Sequence, residues 1–248
     1  MNKYCAGAIS GLSEVILTHP LDYIKTRRQE YIQNNLKLTN FYKEIYNGNV
    51  RSFYTGIFSR LVGIVPMRMI FWGVQSSVNE FLKLNNIKTK FNFIIIGTLG
   101  GISQSLIDNQ IELFKIGKIT SKKIGINDII KFKGLAPTLY RNVIFANFMA
   151  YSCFNLKFAN SYEKFKYSSC TGIIASIVTQ PIDYVKTIKH RRELTYYKGK
   201  NITELSTFKI LKLIGLENPR LLFTGVLLRS ALSFFTMGIG FVVFDNLI

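Results

Sequence analysis

Six stretches of the chain are dominated by apolar residues, and they come in pairs. The first of each pair carries small residues four apart: Gly7 and Gly11, Gly97 and Gly101, Gly172 and Ser176. That spacing puts them on one helix face, where small side chains let backbones approach closely. The pattern predicts helices from about Lys3 to Arg28, from about Phe91, and from about Tyr167. The second stretch of each pair begins near Gly56, Gly134 or Gly225 and runs for about 22–25 residues. Such lengths cross a bilayer with some tilt. None of the six is uniformly apolar: Glu14, Asp108, Arg60, Arg68, Arg141 and Arg229 lie inside them. Charges in membrane helices face a water-filled cavity and mark a solute path. The expectation is an all-α membrane protein of six transmembrane helices, with both termini on one side.

The pairing reflects an internal repeat. Residues 18–26 read T-H-P-L-D-Y-I-K-T and residues 179–187 read T-Q-P-I-D-Y-V-K-T. A degenerate copy, Q-I-E-L-F-K, lies between them at 110–115, with Gln110 where the others have proline. Each copy ends a first-of-pair helix and keeps an acid three residues before a base: Asp22 and Lys25, Glu112 and Lys115, Asp183 and Lys186. Pro20 and Pro181 remove a backbone hydrogen bond and kink the axis. Acid and base then share one face. Three units are predicted, 1–85, 86–160 and 161–248. Three such faces around a threefold axis form a ring of ion pairs between helices.

Composition narrows the chemistry. Net charge is +18, which calls for anionic partners. The basic residues are spread over loops at 25–28, 83–90, 115–123 and 186–192. A nucleic-acid binder would concentrate them on one face, so no nucleic-acid partner is expected; acidic lipid headgroups suit the loops better. Cys5, Cys153 and Cys170 are scattered, and His19 and His190 are the only histidines. No metal site, disulfide framework or nucleophile–base pair emerges, and neither an enzyme nor a cofactor is expected. Four residues precede the first hydrophobic stretch, so any organelle address is expected in the mature chain. Heavy use of Ile, Asn, Lys, Phe and Tyr is what an AT-rich genome produces, such as that of a large DNA virus or a protist.

With these residues the chain resembles the mitochondrial carrier family over essentially its whole length. The family motif, P-x-[DE]-x-x-[KR], is matched at Pro20, Asp22, Lys25 and at Pro181, Asp183, Lys186, and at Glu112 and Lys115 without the proline. Phe132-Lys133-Gly134 matches the turn that precedes the family's even helices. The resemblance implies three tandem two-helix repeats with pseudo-threefold symmetry around a central cavity, and short matrix helices between odd and even helices. It implies a monomer in the mitochondrial inner membrane (of the host cell if the gene is viral), with cardiolipin or another acidic lipid bound. It implies matrix-gate pairs Asp22–Lys115, Glu112–Lys186 and Asp183–Lys25, with Gln29 as a brace. The family's cytoplasmic ring is eroded. Its positions read Gln75-Ser76…Asn79, Phe154-Asn155…Phe158 and Phe244-Asp245…Ile248, so a weak cytoplasmic gate and a cavity open to that side are expected.

The resemblance further implies transport by alternating access around a central site. Seven residues beyond each glycine lie Gly63, Arg141 and Leu232, with Asn142 beside Arg141; one turn on come Met67, Phe145 and Thr236. Arg141 offers a permanently charged fork for carboxylate or phosphate. Arg60 and Arg229 either add positive charge for the solute or pair structurally, and Arg68 points to a neighbouring helix. Cavity acids are few, Glu14 and Asp108, so the cavity is expected to be net positive and the solute a small anion. Local likeness to oxodicarboxylate and tricarboxylate carriers, in G-L-S-E-V-I-L-T-H-P, G-L-A-P-T-L-Y-R-N-V and Gly63-Ile64-Val65-Pro66, implies an oxo-, di- or tricarboxylate, with exchange as the expected mode. A nucleotide or deoxynucleotide carrier is the alternative, its base stacked on Phe145 or Phe71. A non-transporting basic membrane or nucleic-acid-binding protein is the alternative of another class.

Overall fold

The computed structural model describes residues 1–33, 39, 43, 49–54, 57–87, 89–119, 134–190, 196, 197, 200, 201 and 205–248. Within these, the side chains at 22, 25–33, 52, 59, 112–119, 187, 188, 190 and the strand residues lie outside the description. The long helices are α1 (Lys3–Gln33), α2 (Ile57–Leu84), α3 (Asn92–Ile119), α4 (Leu135–Asn155) and α5 (Ser161–His190). Two short ones, α6 (Thr207–Glu217) and α7 (Pro219–Leu222), precede α8 (Val226–Leu247). A 3-10 turn covers Val50–Tyr54, and a small antiparallel pairing joins Tyr196–Tyr197 to Lys200–Asn201. Of the expected connecting helices, α6 is well formed: Ser206 caps it by accepting from the Lys209 amide, and Ile210 and Ile214 bury against Val185 of α5. The corresponding connection before α4 falls at 120–133, outside the described residues.

Helix starts follow local chemistry. Gly134 and Gly225 both sit at φ 82, in the left-handed region that glycine enters without a steric penalty, and α4 and α8 begin immediately after them. The helix expected from about Tyr167 starts at Ser161 instead. Asn160 accepts from the Glu163 amide while Glu163 accepts from the Ala159 amide, a reciprocal cap that adds a turn and a half ahead of the apolar run. At the other end, α1 and α5 run through Pro20 and Pro181. Two residues before each proline a threonine hydroxyl donates to the carbonyl four residues back, Thr18 to Glu14 and Thr179 to Ala175. Such back-bonding bends helices.

The six long helices close a ring. α1 packs most extensively with α2, α3 with α4, and α5 with α8; the pairs are joined through α2 with α3, α4 with α5, and α8 with α1. The small-residue faces set the closeness within each pair. A Cβ at Gly101 would lie 2.6 Å from the Val143 Cα, and one at Gly172 2.7 Å from the Ser233 carbonyl oxygen.

The bundle is inside-out. Along α3 Ile94, Ile95, Leu99, Ile102 and Leu106 are exposed, whereas Gln104, Ser105, Asp108 and Asn109 are buried. α1 likewise exposes Ile9, Leu12 and Ile16 and buries Ser10, Glu14 and Thr18. A helix in water shows the reverse. Among the described residues, Arg60–Leu84 and Pro219–Leu247 are long and apolar enough to cross a membrane on composition alone. The remaining long helices escape that test because their inward faces are polar, while their outward faces suit hydrocarbon.

Candidate solute cavity and its two ends

A cavity of about 180 Å³ lies inside the ring, between α2, α3, α4 and α8. It is lined by five of the residues expected to meet solute, Met67, Arg141, Asn142, Phe145 and Arg229, and by Thr236 one turn along. It does not reach Gly63, Leu232 or Arg60. Gly63 is buried against Ile111 of α3, which leaves 3.2 Å for a Cβ. Leu232 is displaced by its neighbour Ser233, which lines the cavity instead. One residue is about 100° of helix rotation, so counting from the glycine misses the inward face of α8 by one position. Arg60 donates to Thr18 at 3.3 Å, within its own helix pair. Arg229 makes the equivalent bond to Thr179 at 2.8 Å while also lining the cavity. Arg68, Gln104 and Met237 line it without having been expected there. The glycine-based count overlooked Arg68 because it lies a further turn and a half along α2.

Charge in the cavity is paired. Arg141 reaches two helices at once: one terminal nitrogen donates to Asp183 on α5 at 2.8 Å, the other to Asp108 on α3 at 2.5 Å. Its Nε donates to the Asn142 carbonyl at 3.0 Å, and the Asn142 amide donates to Asp108 at 3.0 Å. Arg229 lies 3.7 Å from Asp183 and donates to Gln180 at 3.0 Å. Arg68 grips Glu14 of α1 with two parallel bonds of 2.6 and 2.9 Å. Lys186, 2% exposed, sits 3.5 Å from Asp108. Asp108 is the acid among the lining residues, while Glu14 and Asp183 reach Arg68 and Arg141 from α1 and α5. Each of the three lining arginines therefore has a carboxylate near it, and with Lys186 the four cations exceed the three carboxylates by one. Arg68 does point to a neighbouring helix, as expected.

At the end with the long connections, the expected gate is described only in part. The side chains of Asp22, Lys25, Gln29, Glu112 and Lys115 lie outside the described residues. The described halves, Asp183 and Lys186, face the cavity arginine and its partner acid Asp108.

The opposite end carries residues 3 and 247, and apolar packing joins helices towards it. Phe71 and Trp72 of α2, Ala146 and Met149 of α4, and Met237, Phe241 and Phe244 of α8 form one buried cluster with Ala6 of α1. Trp72 stacks on Phe244 with ring centroids 4.6 Å apart and on Phe241 at 6.2 Å. At the positions of the eroded charged ring, Gln75 and Ser76 are buried and Phe244 belongs to this cluster. The ion pairs described here, Lys3 with Glu80 and Lys164 with Asp245, join helices of one pair and do not cross between pairs.

A ring of helices, apolar outside and ionic within, around a central cavity is the architecture of a membrane transporter. The family model for the mitochondrial carrier protein matches residues 1–86 and 157–248. The stretch between the matches contains the degenerate motif with Gln110. The chain is 29% identical to mitochondrial substrate carrier family protein X of Dictyostelium discoideum, over 97% of this chain and 88% of that protein. It is 26% identical to the human mitochondrial 2-oxodicarboxylate carrier, over 73% of this chain and 72% of that protein. It is 27% identical to the mitochondrial glutathione transporter SLC25A40 of Mus musculus, over 77% of this chain and 65% of that protein. The chain belongs to the mitochondrial carrier family: it is a multi-pass protein of the mitochondrial inner membrane, a transporter and not an enzyme.

Proposed function

We propose that this carrier exchanges a small dianionic carboxylate, of the oxo- or dicarboxylate class, by alternating access across the mitochondrial inner membrane. The observation that carries the reading is Arg141, held in the cavity between carboxylates from two other helices. A site that already binds carboxylates on a planar fork is built for another. The name of the human 2-oxodicarboxylate relative points the same way.

In this reading the chain is three tandem repeats, 1–85, 86–160 and 161–248, arranged with pseudo-threefold symmetry. Asp183 serves twice. Without solute it holds Arg141; a solute carboxylate that takes Arg141 frees Asp183 for Lys25, while Lys186 passes from Asp108 to Glu112 and Asp22 meets Lys115. Solute binding and closure of the matrix gate are then one exchange of partners. Asn142, Met67, Phe145 and Arg229 contact the solute, and the basic loops meet cardiolipin or a similar acidic lipid around a monomer. The test is uptake into liposomes containing purified protein, preloaded with candidate dicarboxylates or nucleotides. Exchange of dicarboxylates, abolished by Arg141→Ala, is the expected result; exchange of nucleotides alone would overturn the reading.

A further inference from the structure

We infer that Arg68 is a second acid-binding point, and that with Arg141 it selects solutes carrying two acidic groups. The inference rests on the carboxylate reading above and extends it to a residue that the family-derived contact positions leave out.

Three observations place Arg68 in that role. It lines the same cavity as Arg141. It is fixed there: Nε and one terminal nitrogen are held by Glu14, and the guanidinium carbon sits 5.6 Å from the centre of the Phe71 ring. The other terminal nitrogen takes no part in the Glu14 grip, so a donor edge of a rigid, charged fork remains for a ligand. The environment is also asymmetric. Six residues before the motif proline stands Glu14 in the first repeat, but Gln104 and Ala175 occupy the matching places in the other two. Gln104 faces Met67 across the cavity at 3.7 Å. Among the described residues, Glu14 and Arg68 are the ion pair at this level.

Two independent counts give the spacing. Arg68 lies twelve residues beyond Gly56 and Arg141 seven beyond Gly134. Five residues of rise at about 1.5 Å each offset them by roughly 7.5 Å along the axis. Their partner acids, Glu14 and Asp108, lie six and two residues before the matching positions Pro20 and Gln110. Four residues give roughly 6 Å. The protein's own carboxylates thus occupy two docking positions at different heights in the ring. A dicarboxylate engages both forks, whereas a monocarboxylate fills one. The wall between is apolar on Met67 and Phe145, matching a methylene chain.

The test uses full-length protein in liposomes and a series of α,ω-dicarboxylates from three to eight carbons, with the matching monocarboxylates. Wild type should prefer diacids over the matching monoacids by at least tenfold. Glu14→Gln should lower KM for dicarboxylates, because a competing carboxylate is gone, without lowering it for monocarboxylates; a pair with a purely structural role would raise both. Glu14→Gln/Arg68→Gln removes both buried charges together, and the preference for diacids should fall to about twofold. If that variant does not fold, Arg68→Lys keeps a charge opposite Glu14 but lacks the fork, and should cut the preference at least threefold. An unchanged preference in whichever variant folds would overturn the role of Arg68 while leaving carboxylate transport standing. Wild type that takes up no carboxylate of any length would overturn the carboxylate reading, and this inference with it.

Discussion

The two ends of the bundle join helices by opposite means. Towards the long connections, α3, α4, α5 and α8 are joined by Arg141, Asp108, Asp183, Arg229 and Lys186. Towards residues 3 and 247, α1, α2, α4 and α8 are joined by rings and methionines at 0–4% exposure, with Trp72 in the middle. Ionic contacts can be traded one for one with a charged solute, at little net change in paired charge. Aromatic contacts cannot: opening them exposes apolar area at about 25 cal/mol per Å². We therefore expect solute to act on the ionic end, and separation of the aromatic contacts to require the larger input of energy.

The sharpest way to break this contrast is Arg141→Ala. Uptake should fall to background while the protein stays folded in detergent, because Lys186 and Arg229 remain near the two acids; retained uptake would remove Arg141 from the site. Trp72→Ala should act at the other end. Truncating a buried tryptophan costs on the order of 3–5 kcal/mol, so thermal unfolding should shift clearly downwards. A thiol-reactive probe should also reach Cys153, whose side chain packs against the cluster, faster than in wild type. Thr179→Val removes the acceptor for Arg229 at 2.8 Å and should destabilise by about 1 kcal/mol, read by thermal unfolding; Thr18→Val, the matching change opposite Arg60, should do about the same. Asp245→Asn is the mildest. An exposed pair contributes about 0–1 kcal/mol, so unfolding and uptake should both stay near wild type. A large loss there would mean that the charged remnant, and not the aromatic cluster, holds the helices together at that end.

Much of the fold is readable along the chain because it depends on neighbours a few residues apart. The repeat of T-x-P-x-D-Y-x-K-T, the glycine faces and the glycines before α4 and α8 each dictate local geometry, and the helices formed where they pointed. The early start of α5 was also written there, in Asn160-x-x-Glu163, but an apolar-run criterion passes over a polar cap. The inward face of α8 was missed by one residue because a one-residue error in phase turns a helix by about 100°.

By itself the sequence determined the three motif copies, six long helices, an interior carrying charge and an erosion of one charged ring. These follow from covalent spacing and the 3.6-residue period, which hold wherever the chain is placed. Only the tertiary structure decided the partners. That Arg141 bridges Asp108 and Asp183, residues 33 and 42 positions away, depends on three helices meeting at set heights and rotations, and a long guanidinium side chain can reach several acids from one backbone position. The same holds for Trp72 between Phe241 and Phe244: the erosion of the charged ring is legible in the sequence, but the aromatic cluster near it forms only once the helices meet.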